Sequence, residues 1–284
     1  MKRKLQISPS ALQHKTYRHE SKAIVATKEM MMKNSSESTI KMTYLQKNEM
    51  EGGHVFSLET LSEKFGKDSA TEKLSRDMNS LIQQVTVGTN TQGKLVKILD
   101  KHLVVDKWKG LKKKWLGDAE EEEKPQINRT IAIVEENLTN GTFENDIANQ
   151  GMLYFLFPGL QGNYDAKERT IERKLNKFLV TQPLPLKITY TIVQEEGSKK
   201  NLVIEGIGEV DEEKLDRKVL TKLIRTIKDQ INLKVSLQVD YKERFEFDKN
   251  HWLHSSVQHV KVKIPGFYMT ESKQEINQIQ DNGQ

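Results

Sequence analysis

The feature that most constrains this chain is a regular alternation of apolar and polar residues in its C-terminal third. Apolar residues recur at every second position and, after a break, the series ends with two phenylalanines: Ile231, Leu233, Val235, Leu237, Val239, Tyr241, Phe245 and Phe247. Successive side chains of a β-strand point to opposite faces. The pattern therefore predicts an antiparallel sheet that is solvated on one face, with a hidden face that serves for packing alone.

Shorter segments with the same twofold period predict further strands and hairpins. They are residues 39–45 and 55–61 around a turn at 48–53, residues 85–87 and 95–98, residues 188–192 and 202–206, and residues 259–264 before Pro265-Gly266. Turn-forming residues separate the paired segments, as hairpins require.

Between the strands the spacing of apolar residues becomes helical. Ser69 and Glu72 have the spacing of a capping box, and the apolar stripe that follows runs from Leu74 to Val85. Further helices are predicted from Asp100 to Trp115, from Pro125 to Asn140-Gly141, around 143–149, and from Asp211 through Leu215, Val219, Leu223 and Ile227. The run Met152–Phe157 is apolar on every face, so it is either buried on both sides or lines a cleft.

The order of these segments predicts an α+β fold with antiparallel, curled β-sheet(s) packed against several α-helices. We expect a basic N-terminal segment at 1–34, a single α+β domain at 35–270 and a loose polar tail at 271–284. A subdivision of the domain near 158–166 is an alternative.

A curled antiparallel sheet over helices resembles the half-barrels of lipoprotein carriers and other carriers of hydrophobic ligands. The likeness is one of architecture, with no shared motif, and architecture alone does not establish function. The resemblance implies an apolar ligand held under the sheet. Independently of the resemblance, the run that is apolar on both faces suggests a cavity lined by Tyr154, Phe155, Phe157, Tyr241, Phe245 and Phe247.

Composition and the absence of long apolar runs indicate in which compartment the chain is expected. Forty-five Lys and Arg residues against forty Asp and Glu residues leave a net charge of +5, and there is no cysteine. The basic N-terminus lacks the apolar stretch of a signal peptide, and no apolar run approaches the ~20 residues of a membrane-spanning helix. We therefore expect a cytoplasmic protein that does not insert into a membrane.

No motif for catalysis, metal binding or a cofactor is present. The glycines of Gly206-Ile207-Gly208 lack the pattern of a phosphate-binding loop and are expected to let a strand bend. His251, His254 and His259 are suitable ligand types, but their spacing does not fit a metal site and favours an exposed hairpin corner. We expect no enzyme, no metal and no cofactor.

The leading functional hypothesis is a non-catalytic accessory protein that binds protein partners within a larger assembly. The apolar-ligand carrier is one alternative. The other is nucleic-acid binding through a basic helix, whose cations are Lys107, Lys109, Lys112, Lys113 and Lys114. Because Trp108 and Trp115 share the apolar stripe of that helix, burial explains them, and nucleic acid is the less favoured partner.

Overall fold

The computed structural model describes residues 3–66, 70–149, 151–164, 168–179, 182–193, 201–216 and 237–279. Strands dominate these residues. They are β1 (Arg3–Leu5), β2 (His14–Thr27), β3 (Met31–Asn48), β4 (Gly52–Phe65), β5 (Gln84–Asn90), β6 (Leu95–Ile98), β7 (Gly162–Tyr164), β8 (Glu168–Leu179), β9 (Gln182–Val193), β10 (Leu202–Val210), β11 (Gln238–Phe247), β12 (Leu253–Ile264) and β13 (Tyr268–Ile279).

Eleven of the described strands form one open antiparallel sheet in the order β6-β5-β4-β3-β2-β13-β12-β11-β10-β9-β8. Most neighbours are consecutive hairpins, and the pairing of β2 with β13 joins the two ends of the chain. The remaining pair, β1 with β7, forms a small separate ladder. The dominant antiparallel sheet and its accompanying helices are compatible with the predicted α+β class.

The pairing of β2 with β13 puts two segments of polar composition in the middle of the sheet. Residues 14–27, from the basic N-terminal segment, lie beside residues 268–279 over twelve paired positions, from Thr16–Ile279 to Thr27–Tyr268. The prediction of a loose tail is therefore wrong for residues 271–279. A polar strand is stable here because its backbone groups are paired on both sides and Ile276 is buried.

The described helices are α1 (Ala70–Ser80), α2 (Lys101–Asp118), α3 (Lys124–Asn140), α4 (Thr142–Ala148) and α5 (Gly151–Leu156). The predicted stripe of α2 is confirmed at Val104, Trp108 and Leu111, which are buried, whereas Leu74 of the predicted α1 stripe is 42% exposed. Val85 is a correction, because it belongs to β5. The chain leaves α3 through Gly141 at φ +78°, as the Asn-Gly ending predicts. None of the helices in the described part of the chain is long and apolar enough to cross a membrane.

Several predictions fall on residues outside the described ranges, among them the capping residue Ser69 and the end of the polar tail, residues 280–284. Residues 211–216 form turns and irregular chain, while the rest of the helix expected from Asp211 lies outside. The first part of the long alternation, from Ile231 to Val235, lies outside as well. Its second part is confirmed as β11.

The apolar run at 152–157 is buried, and most of it forms the short helix α5. Leu153, Tyr154, Phe155, Leu156 and Phe157 are each at most 7% exposed. They belong to one apolar core, which also includes residues from many of the strands, in chain order from β2 to β12. Because every face of α5 is apolar, no other environment in a folded chain would satisfy it.

Candidate functional site

A buried carboxylate, that of Glu243, lies on the inner face of β11, at the position where the apolar alternation of the sequence has its break. Tyr241, Glu243, Phe245 and Phe247 all point into the interior, and Glu243 is 3% exposed. The alternation therefore continues through Glu243. The prediction that the hidden face serves apolar packing alone is wrong at this residue.

Four neighbouring side chains donate hydrogen bonds to the Glu243 carboxylate. The Tyr154 hydroxyl lies 2.9 Å from Oε1 and the Tyr241 hydroxyl 2.7 Å from Oε2. The Tyr190 hydroxyl donates to Oε1, and Gln258 Nε2 donates to Oε2 at 3.1 Å. Burial raises the pKa of all three tyrosines above their ordinary value, so their hydroxyls keep the protons they donate.

Arg173 of β8 supplies the positive charge. Its Nη1 lies 3.5 Å from Glu243 Oε2, and the exposed fractions of the two side chains are 6% and 0%. The guanidinium lies 3.3 Å from the centre of the Tyr154 ring, and its Nη2 donates to the Asn149 carbonyl at 2.8 Å. A buried ion pair of this kind is tolerated when hydrogen bonds satisfy most of the remaining polar atoms; here Arg173 Nε is buried without a hydrogen-bond partner among the described residues.

Two glycines of β10 make room for these side chains. Gly206 lies directly between Tyr190 and Glu243 in the ladder, and a Cβ there would come within 2.8 Å and 2.9 Å of their side chains. A Cβ at Gly208 would come within 2.6 Å of the Tyr241 ring. Gly206-Ile207-Gly208 is thus explained by close packing, which sequence reasoning had attributed to a bend of the strand.

The polar cluster links α5 to four strands, β8, β9, β11 and β12. Neither of the two cavities described below is lined by Glu243. The hydrogen bonds of the cluster hold Tyr154, and with it α5, in a defined orientation under the sheet.

The six residues predicted to line an apolar cavity are all buried in one core, and four of them, Tyr154, Phe155, Phe245 and Phe247, form a chain of ring contacts. Ring centres lie 6.3 Å apart for Tyr154–Phe245, 6.4 Å for Phe155–Phe245 and 6.3 Å for Phe245–Phe247. Phe157 packs on Phe56, with ring centres 5.4 Å apart. The cavity beside Phe157 and Phe247 has about 30 Å³, enough for one or two waters.

A larger groove of about 490 Å³ opens between the inner face of the sheet and helices α1, α4 and α5. Its wall is mixed: apolar side chains alternate with hydroxyl, amide and carboxyl groups from residues that include Ser36, Ser38, Glu63 and Asp146. Sequence reasoning missed it. The available signal was the polar stretch Asn34–Ser38, whose alternate side chains face inward where an apolar strand would be expected.

His19 and Glu63 are the titratable groups of the groove whose pKa is displaced. Burial lowers the pKa of His19, whose Nε2 lies 3.3 Å from Gln274 Oε1. Burial raises the pKa of Glu63, although the hydrogen bond from Asn79 at 2.6 Å opposes the shift. Both groups are therefore biased towards their neutral forms, and the groove is suited to hydrogen bonding with a polar molecule.

The five lysines of the basic helix lie on α2, and three of them face carboxylates. Lys109 pairs with Asp106, Lys112 with Glu135 and Lys114 with Asp77. Lys107 and Lys113 have no ion pair with a described residue. Trp108 is 3% exposed, as expected if it belongs to the apolar stripe of the helix. Nucleic-acid binding through α2 stays a prediction, which retention on heparin at low salt would test.

The three C-terminal histidines occupy separate environments. His251 forms the corner between β11 and β12 at φ +62°, which confirms the predicted hairpin corner, and its Nδ1 lies 2.8 Å from the Gln6 carbonyl. His259 pairs with Glu271 at 2.8 Å. Among the described residues, no three His, Asp or Glu side chains converge in a way that would hold a metal ion.

Comparison with known proteins shows the fold alone. No family model matches the chain, and no curated protein matches it by sequence. A solved structure described by its title as lipid–protein interactions in lipovitellin is similar, with a TM-score of 0.51 and 11% identity. The match covers 95% of this chain and 25% of that one, so this chain spans about a quarter of its length.

Proposed function

We propose that this chain is a non-catalytic binding protein that acts through its outer surface, as an accessory component of a larger assembly in the cytoplasm. The observation that carries the proposal is the tight packing around α5. The helix and the aromatic rings beside it pack on one another beneath β11, while the groove of about 490 Å³ opens elsewhere, between the sheet and helices α1, α4 and α5. A molecule that this protein recognises would then bind at the outer surface or in that open groove, without displacing α5.

The anchoring of α5 supports this proposal. Burial of a Leu or Phe side chain contributes about 1.5–3 kcal/mol, and Leu153, Phe155 and Leu156 are all buried. A ligand that displaced the helix would have to replace these contacts and also separate Tyr154 from Glu243. Surface binding requires neither change.

The test is affinity capture from a native extract, combined with size-exclusion chromatography at several concentrations. We expect a reproducible co-purifying partner or a concentration-dependent assembly. A strictly monomeric protein with no partner would contradict the proposal. Cell fractionation tests the cytoplasmic location separately.

The likeness to the lipovitellin chain favours a second candidate, a carrier of an apolar ligand beneath a sheet that curls around it. That protein's title names lipid–protein interactions. Here a ligand would have to enlarge the 30 Å³ cavity that Phe157, Phe247 and Trp252 line. The proposal predicts an apolar molecule in native mass spectra of protein purified without detergent.

Trp252 is a built-in reporter for this second candidate, because it is 0% exposed and lines that cavity. A brominated fatty acid bound there should quench the Trp252 fluorescence, and the Trp252→Phe variant should lose that quenching. Quenching that is unchanged in the variant, together with ligand-free mass spectra, would reject the carrier.

A further inference from the structure

Three consecutive methionines are exposed at one end of the sheet. Met30, Met31 and Met32 are 50%, 61% and 45% exposed, at the turn that connects β2 to β3. Because β13 pairs with β2, the turn between β12 and β13 lies beside this turn. We call residues 28–33 and 267–269 together the methionine tip.

The methionine tip is apolar on both faces of the sheet. Paired residues of an antiparallel ladder share a face. Met31 pairs with Ala26, which pairs with Met269, on one face. Met32 pairs with Val25 on the opposite face, and Met30 lies in the turn itself.

One edge of the tip is also unpaired. The ladder between β3 and β4 ends where Phe65 faces Ser36. Residues 31–35 of β3 therefore have β2 on one side and no described strand on the other. Exposed apolar edges of this kind are normally shortened, charged or covered, and an exposed apolar patch commonly marks an interaction site.

Lysines surround the tip, and they are not neutralised within the described part of the chain. Lys22, Lys28, Lys33 and Lys263 have no ion pair with a described residue, and the acidic residue at the turn is Glu29. Lys28 lies over the Phe267 ring, 4.7 Å from its centre. The tip thus combines an apolar end with a positively charged collar.

We infer that the methionine tip docks onto an anionic lipid surface. A protein partner would cover one face of a strand pair, whereas the acyl boundary of a bilayer surrounds whatever enters it, and here exposed methionines project from both faces of the ladder and from the turn. The collar fits the negative charge of the headgroups, since basic residues next to an apolar anchor strengthen binding to anionic lipids. The inference rests on the proposed function, because it names a partner for the outer surface.

The test is co-sedimentation with phosphatidylcholine vesicles that contain or lack about one third phosphatidylglycerol. We expect binding to the anionic vesicles that weakens steeply as salt is added. The triple variant M30S/M31S/M32S and the double variant K28Q/K33Q should each weaken binding about tenfold or more. The control is M50S, because Met50 is 87% exposed in the turn at the opposite end of β3, and its binding should be unchanged.

A depth measurement covers the case in which the triple variant folds poorly. In M31W, the added tryptophan should shift to shorter wavelength on anionic vesicles and be quenched by brominated lipids, and in M50W it should show neither effect. Wild-type protein that ignores anionic vesicles, or a triple variant that folds and binds as wild type does, would overturn the inference. If a captured protein partner depends on the methionines while vesicles do not bind, the inference fails and the proposed function stands. If the protein binds neither vesicles nor any protein partner, both the inference and the proposed function are rejected.

Discussion

Removal of the negative charge at Glu243 should be among the most damaging conservative changes in this chain. Glu243→Gln keeps the size of the side chain and leaves Arg173 buried without its counter-ion. Arg173 Nη1 lies 3.5 Å from the carboxylate, and its side chain is 6% exposed. The guanidinium therefore has little contact with water that could replace the lost charge.

The expected magnitude follows from this burial. Breaking a buried ion pair by removal of one partner costs about 3–5 kcal/mol, which is a large part of the ~5–15 kcal/mol that stabilises a typical folded protein. The exposed pair between Arg244 and Glu205 is the matched control. Its atoms are closer, at 2.6 Å, but its side chains are 35% and 46% exposed, so Glu205→Gln should cost about 0–1 kcal/mol.

The assay is urea unfolding monitored by circular dichroism. The free energies of unfolding are compared between variants that have the same m-value, the slope of that free energy against urea concentration. The double variant R173M/E243Q separates charge from packing. It should recover most of the loss, because no unpaired charge remains. Equal costs for Glu243→Gln and Glu205→Gln, or a double variant whose cost is the sum of its two single variants, would refute the ion-pair reasoning.

Three further predictions concern packing and pH. Gly206→Ala should destabilise the protein by about 1–3 kcal/mol, because its Cβ would overlap the Tyr190 ring at 2.8 Å. Gly110→Ala, in open space on α2, should instead stabilise it by up to about 1 kcal/mol. Urea unfolding measures both changes. Burial lowers the pKa of His19, so the folded protein binds fewer protons than the unfolded chain. Stability should therefore fall as the pH drops through about 6.5, the ordinary histidine value. His19→Gln should reduce that dependence and the exposed His254→Gln should not; equal pH profiles for the two variants would contradict this origin. Phe155→Ala should cost about 3–5 kcal/mol if α5 is packed as described, and a thermal midpoint equal to that of wild type would show that the interior is loose.

Local periodicity predicted much of the secondary structure correctly. Residues 39–45, 55–61, 85–87, 95–98 and 259–264 all lie in strands, and the buried stripe of α2 contains Trp108 as expected. Such patterns are readable because a strand or helix that borders a core must repeat its apolar residues at its own period.

Little in the sequence indicated the candidate site, for a related reason. A glutamate within an apolar alternation looks like an interruption, since a buried carboxylate is stable only with partners that the local sequence does not contain. Those partners are Arg173 on β8, Tyr190 on β9 and Tyr154 on α5. Only the order of the strands brings them within hydrogen-bonding distance of Glu243.

The amino-acid sequence by itself determined the strands and helices that carry a regular apolar period, and which of their faces are apolar, because these properties depend on neighbours a few residues apart. It did not reveal the polar strands β2, β8 and β13. The tertiary structure alone decided that residues 14–27 and 268–279 meet in the centre of the sheet, that α5 fills the space beneath it, and that a charged pair is buried there. Each of these outcomes depends on contacts between residues far apart in the chain. Their free energy comes from pairing and desolvation in the assembled fold.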